Sequence, residues 1–359
     1  MTKNKFFKVS LLLSSLALIL SGCSLSVNTG GNTGSSSTAT DGGIFKSSNQ
    51  GTSWAQKSLV QSVGRVRNFA GADIISLAVD PTDNKAIYAG SLGNGLFYSY
   101  DLGESWQVAT SLGQITVNSV AIDSADKCTI YAASGNKIFK SSDCSRTWVN
   151  IYFDNDLNLK INTIAIDQEN GRNIYLGNSR GDIIKSSDAG VSWRAINRFD
   201  SQVVKIIISP ASAKVIFVGT ASKGIYRSLD AGDNWQSLGD RLKAFNNSQH
   251  FRDLAIVGKE QTVTYLANNY GLLKSTNNGS DWTDIQLLTP EKEAVINALA
   301  VNPKNSAEIY YCTNTTFYRS LDGGKNWTSK KLPTGRTGVK LLIDPINPSI
   351  IYLAAKKIK

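Results

Sequence analysis

The residues best equipped for chemistry in this 359-residue chain are cations and carboxylates in two long insertions and in the glycine-rich turns. The insertions, Ala55 to Asp73 and Gln236 to Arg252, carry Arg65, Arg67, Arg241, Lys243, His250 and Arg252, while Arg180 and Lys223 occupy equivalent Gly-rich turns. Guanidinium and ammonium groups recognise carboxylates and phosphates. With Asn268, Asn269 and Tyr270 they would form a basic, polar surface for anionic ligands or acidic protein segments. The same regions hold Asp154, Asp156, Asp182, Asp200, Asp240, Asp253, Glu291 and Glu293. Glycoside hydrolysis needs two such carboxylates across a cleft, and no motif singles out a pair. His250 is the one histidine, which excludes a histidine-rich metal site and leaves a Ser-His-Asp arrangement without a nucleophile elbow. Phosphate-loop and dinucleotide motifs are absent, so no cofactor is expected.

A repeat must position these groups. All seven tryptophans close the same octet, which opens with Ser, carries Asp or Asn third and usually Gly fifth. Its third and last residues are Asn49 and Trp54, Asp101 and Trp106, Asp143 and Trp148, Asp188 and Trp193, Asp230 and Trp235, Asn277 and Trp282, and Asp322 and Trp327. Successive tryptophans lie 52, 42, 45, 42, 47 and 45 residues apart, the period of one four-stranded unit repeated around a ring. Between octets run short apolar strands such as Ser76-Leu77-Ala78-Val79-Asp80-Pro81 and Ala86-Ile87-Tyr88-Ala89-Gly90, with no sustained helical periodicity. The fold class is therefore all-β: a seven-bladed β-propeller of four-stranded blades. The first repeat supplies only a third strand and an octet (from Gly43), the last only first and second strands (to Ala354). Pairing the N-terminal and C-terminal half-blades would close the ring and cover bare edges. Within the octet, Asp or Asn accepts backbone N–H bonds, Gly permits positive φ and Trp packs between layers, so these recurring residues are assigned to structure. Asn118, Asn162, Asp253 and Asn297, at matching starts of innermost strands, are assigned to bonds between blades.

The ends carry their own signals. Residues 1-22 hold Lys3, Lys5, Lys8 and the apolar run Val9 to Leu20, followed by Leu20-Ser21-Gly22-Cys23. This reads as an export signal, and its last four residues resemble the bacterial lipobox, with Cys23 as the lipidated N-terminus. Residues 23-42, rich in Ser, Thr, Gly and Asn, read as a flexible tether, and 43-359 as the propeller. Removing the three signal lysines takes the formal net charge from +10 to +7, no nucleic-acid signature. In an exported, oxidising setting, Cys128 and Cys144 are expected to form a disulfide across one hairpin, which would help the one octet with Ser145 in place of Gly. Cys312 reads as an apolar filler.

The octets resemble the Asp-box, or bacterial neuraminidase repeat, superfamily over residues 43 to 355. Members include sialidases, xyloglucanases, sortilin-type receptors and lipoproteins with such repeats. The chain is most similar to the photosystem II assembly and stability factor family, and this resemblance implies a non-catalytic scaffold. The expectation is a lipid-anchored monomer on the outer leaflet of the cell membrane or the periplasmic face of the envelope. It would present its loop face to a membrane or envelope protein, an acidic segment or a glycan. The alternative is a glycoside hydrolase, sialidase- or xyloglucanase-like, or a carbohydrate-binding propeller. The sialidase branch lacks its Arg-Ile-Pro tripeptide here.

Overall fold

The computed structural model describes residues 41–62, 67–290 and 293–358. Cys23, Arg65 and Glu291, and with them the signal, the lipobox and nearly all of the tether, lie outside the described residues. Seven antiparallel four-stranded sheets form the seven blades of an all-β propeller. We number them 1 (74–108), 2 (119–153), 3 (161–198), 4 (203–237), 5 (251–285), 6 (298–331) and 7 (337–356 joined to 43–56). Blade 7 closes the ring as the half-repeats require: Gly43–Ser47 pairs with Ile351–Lys356 in register from Gly43 opposite Ala355 to Ser47 opposite Ile351. The first strands of consecutive blades pack against one another around the central channel. The fourth strands, hidden from periodicity, follow each tryptophan directly and range from two residues (Ala55–Gln56, Gln107–Val108, Gln236–Ser237) to five (Val149–Phe153, Arg194–Arg198).

Each octet folds into the same knot. The opening Ser hydroxyl accepts the fifth residue's N–H at 2.8–2.9 Å in all seven copies. The third residue's side-chain oxygen accepts the seventh residue's N–H at 2.8–2.9 Å. Both the fourth and fifth residues are left-handed, from Gln50 (φ 54°) and Gly51 (φ 78°) to Gly323 (φ 79°) and Gly324 (φ 91°). The sequence suggests positive φ only at the fifth position. At the fourth, non-glycine Gln50, Leu102, Cys144, Ala189, Ala231 and Asn278 are held there, at a steric cost, because that conformation completes both bonds. Ser145 also sits at φ 69°, and its neighbour Cys144 is disulfide-bonded to Cys128, as the hairpin reading expects.

These knots lock blade to blade. Tyr352, Tyr131 and Tyr175, all buried, donate their hydroxyls to the fourth-position carbonyls of Leu102, Ala189 and Ala231 in the next blade. Lys46, Lys140, Lys185, Arg227 and Arg319 reach fourth-position carbonyls in the same way. Burying each such ring contributes roughly 2 kcal/mol. These cations look in sequence like surface charge, yet they are inter-blade fasteners. Five of the seven innermost strands share a second device: a register shift at one step, between Ile74/Ser76, Ile161/Thr163, Val203/Lys205, Phe251/Asp253 and Gly338/Lys340. Such a bulge re-aims the side chain that follows it.

Candidate functional site

The octets and the turns between first and second strands share one face, because the fourth octet residue donates its N–H to that turn in blade after blade, as from Leu102 to Lys85 and from Ala189 to Arg172. The opposite face holds the insertions and the Gly-rich turns. There Leu59–Val60 and Arg67–Asn68 form a two-stranded hairpin beside blade 1. With the fourth strand of that blade and the link into blade 2, it encloses a groove of about 1090 Å³. Phe69 and Phe97, stacked with centroids 4.2 Å apart, lie in the groove lining, and Trp106 meets Phe69 edge-on at 5.6 Å. Its polar lining is dominated by side-chain amides: Gln61, Asn68, Asn94, Gln107 and Gln114. Gln107 uses its carbonyl to accept the Tyr98 hydroxyl at 2.9 Å, which leaves its NH₂ to donate. Asn94 and Gln114 make no side-chain hydrogen bond to any described residue. Arg67, exposed, is the one charged residue lining the groove among those described. Amides both donate and accept, as sugar hydroxyls do. A groove with that lining suits a neutral polyhydroxylated ligand better than an anion.

The expected basic surface is dispersed. Exposed Lys223 borders a separate hollow of about 430 Å³ with Lys243, beside the 3-10 turn Gly239–Leu242 that carries exposed Arg241. Arg252 donates to Asn269 at 2.8 Å, and exposed His250 engages its neighbours through its backbone. Asn268 is fully buried and shapes its turn by accepting the Tyr270 and Gly271 N–H groups, so its position is structural. Tyr270 meets Phe245 edge-on and lines a third hollow with Gln286 and Thr289. Arg180 is committed to Asp154 (3.0 Å) and Asp182 (2.9 Å).

The carboxylates divide by partner. Asp182 is buried; burial opposes its charge, but hydrogen bonds from Arg198, Asn178 and Arg180 outweigh that and hold its carboxyl below the usual range. Asp154 and Asp182 thus share one guanidinium, and the lowered carboxyl of Asp182 is unsuited to the proton-donor role. Asp240 forms an exposed pair with Lys243 at 2.8 Å. Asp253 is buried beside Lys205 and accepts the Leu299 N–H of the next blade at 2.9 Å. It stands one register position beyond Asn118 and Asn162, whose amides donate to the Ile161 and Val203 carbonyls of the next blade; Arg252 is the true counterpart of those asparagines. Asn297 bonds Asn314 within its own blade, so the inter-blade assignment is corrected there. Asp156, Asp200 and Glu293 are exposed and form no ion pair with a described residue. Among the described residues no three His, Cys, Asp or Glu side chains cluster as metal ligands.

No protein-family profile matches the chain. Over 159 residues it is 27% identical to the xyloglucanase Xgh74A of Acetivibrio thermocellus, a match covering 43% of this chain and 16% of the relative. Among solved structures it is similar to a GH74 enzyme of Niastella koreensis (TM-score 0.63, 16% identity, 79% of this chain and 51% of that one). It is also similar to YCF48 of Cyanidioschyzon merolae (TM-score 0.60, 13% identity, 79% and 95%). At such identities the structural likenesses establish the propeller fold alone, and the chain spans about half the length of the solved GH74 enzyme. The expectation of a non-catalytic assembly scaffold is corrected by the sequence relatives, which are xyloglucanases; the alternative reading, a glycoside hydrolase, is the better supported one.

Proposed function

We propose that this propeller is a polysaccharide-directed body of glycoside hydrolase type, related through its Asp-box octets to the xyloglucanases and acting on an uncharged, xyloglucan-like β-glucan. The observation that carries the reading is the groove of about 1090 Å³ beside blade 1, with amides along its walls and stacked phenylalanines in its lining. The phenylalanines are buried and back the wall, while the amides offer donors and acceptors to sugar hydroxyls. The sequence relatives supply the substrate class.

Hydrolysis needs a proton-donating acid with a raised pKa opposite a second carboxylate. Every described carboxyl displaced from its ordinary range is displaced downward, as at Asp143, Asp182 and Asp253. In this reading the propeller contributes the glycan-holding surface and one of the unpaired loop-face carboxylates, Asp156, Asp200 or Glu293. A second body facing the loop face completes the pair, in keeping with the greater length of the similar enzyme. The exported, lipid-anchored position read from residues 1-42 would put this surface where extracellular glycans are met.

Affinity electrophoresis of the full chain in gels containing xyloglucan, mixed-linkage β-glucan or polygalacturonate, with reducing-end release measured alongside, tests the reading. Retardation by the neutral glucans but not by the acidic polymer is expected. Equal mobility in all gels together with no reducing-end release would overturn it.

A further inference from the structure

The seven innermost strands bring one residue each to the same level of the central channel: Ser76, Ser119, Thr163, Lys205, Asp253, Ala298 and Lys340. The ordinary task at this level is to stitch blades together. Ser119 accepts the Ile164 N–H at 3.2 Å, Thr163 accepts that of Ile206 at 3.4 Å, and Asp253 accepts that of Leu299. Blades 4, 6 and 7 depart from that pattern. Lys205 bonds Asp253 and the Leu254 carbonyl at 2.7 Å, so its charge and that of Asp253 are mutually satisfied. Ala298 leaves no side chain beyond Cβ in the next position. Lys340 follows, and its ammonium donates no hydrogen bond to any described residue and lies in no ion pair. Its neighbour around the ring, Ser76, is buried and its hydroxyl likewise makes no bond to a described residue.

The charges at this level do not balance. Lys205 and Lys340 bring two cations against the single carboxylate of Asp253. Cys312, which pairs with Ala298 in the sheet, adds no negative charge: burial pushes its thiol pKa up, and its Sγ donates to the Gly338 carbonyl at 3.4 Å. Lys340 is only partly accessible in the channel, and an ammonium there that no described group accepts from favours an anion beside it. Burial depresses the pKa of Lys340, and Asp253 opposes that shift only in part. A bound anion would restore the ammonium's preference for its charged form.

We infer that Lys340 and Ser76 form a binding site for a small monovalent anion, a halide or a formate-sized carboxylate, in the central channel, with the Lys205–Asp253 pair as its wall. Lys340 supplies the charge and Ser76 a hydroxyl donor, and the lack of a side chain beyond Cβ at Ala298 provides the room. The site is independent of the glycan groove.

Chlorine NMR of the full chain, reading the excess broadening of the chloride line, tests it directly. Broadening that bromide or formate reverses and bulky gluconate does not is expected for the unaltered protein. Lys340→Met should weaken chloride binding by about tenfold or more, Ser76→Ala by a smaller factor, and the exposed-surface control Lys325→Met should leave it unchanged. Should Lys340→Met fail to fold, the competition series on the unaltered protein and the Ser76→Ala variant carry the test. Absence of excess broadening, reversal by gluconate as effective as by bromide, or equal broadening in Lys340→Met would overturn the site.

Discussion

The two faces of this propeller are built on opposite plans. On the octet face, seven sequences that share only Ser, Asp or Asn, and Trp reproduce one set of bonds to within a tenth of an ångström. On the loop face the blades diverge: a hairpin borders blade 1, an ion-paired cluster around Arg180 caps blade 3, and 3-10 turns follow blades 1 and 4. The Ser and the Asp or Asn that recur in every blade spend their side chains on their own turn. Amides that occur once, as at Asn94 and Gln114, keep theirs. Repetition thus marks what holds the ring, and irregularity marks where function can be written.

The division is sharpest where it is crossed. Arg336 belongs to the loop face yet acts as a fastener: buried, it binds Asp41 at 3.1 Å, Asp73 at 2.8 Å and the carbonyls of Ala72 and Gly71. It thereby ties the start of the propeller and the first insertion to the closing blade. Arg336→Met should have the largest effect in the molecule, lowering unfolding stability by about 3–5 kcal/mol in urea titration, since it strands two carboxylates. A loss below about 1 kcal/mol would assign Arg336 to the surface it resembles in sequence.

Next in size is the octet itself. Ser186→Ala removes the acceptor for the Asp188 and Gly190 N–H groups and should cost about 1–3 kcal/mol, seen as a lower denaturant midpoint with an unchanged slope. The groove should respond the other way. Replacing Asn94 and Gln114 by Ala should weaken neutral-glucan retention by about tenfold while stability stays within about 0.5 kcal/mol of the original. The smallest effect is electrostatic. Hydrogen bonds from the seventh octet residue lower the Asp143, Asp188, Asp230 and Asp322 carboxyls to about 2. Depressed folded-state pKa values stabilise the fold above the ordinary carboxylate range, and that contribution is lost as pH falls from about 4 toward about 2. Melting temperature should fall over that window, and less steeply when these four are changed to Asn, the amide that Asn49 and Asn277 already supply.

The octet face was largely legible in the sequence because its bonds are local: Ser47 and Gly51, or Asp188 and Ser192, lie four residues apart, and the repeat displays them seven times. Ring closure was legible by the same counting. The left-handed fourth position was not, because its occupants range from Leu102 to Cys144 and only the backbone is shared. The groove was missed for a different reason. It joins the hairpin at Arg67–Asn68 to Asn94 and Gln114 across blade 1, and no local pattern marks amides that meet only in the fold. Charge in the sequence points instead to Arg180 and Arg252, which bond Asp154, Asp182 and Asn269.

The most direct test of the contrast between the two faces is calorimetric titration of a xyloglucan oligosaccharide into the unaltered chain, the Asn94→Ala/Gln114→Ala variant and Ser186→Ala, at a temperature where all three are folded. The account predicts binding weakened about tenfold in the groove variant and unchanged in the octet variant. Equal affinity in all three, or a loss confined to Ser186→Ala, would contradict it.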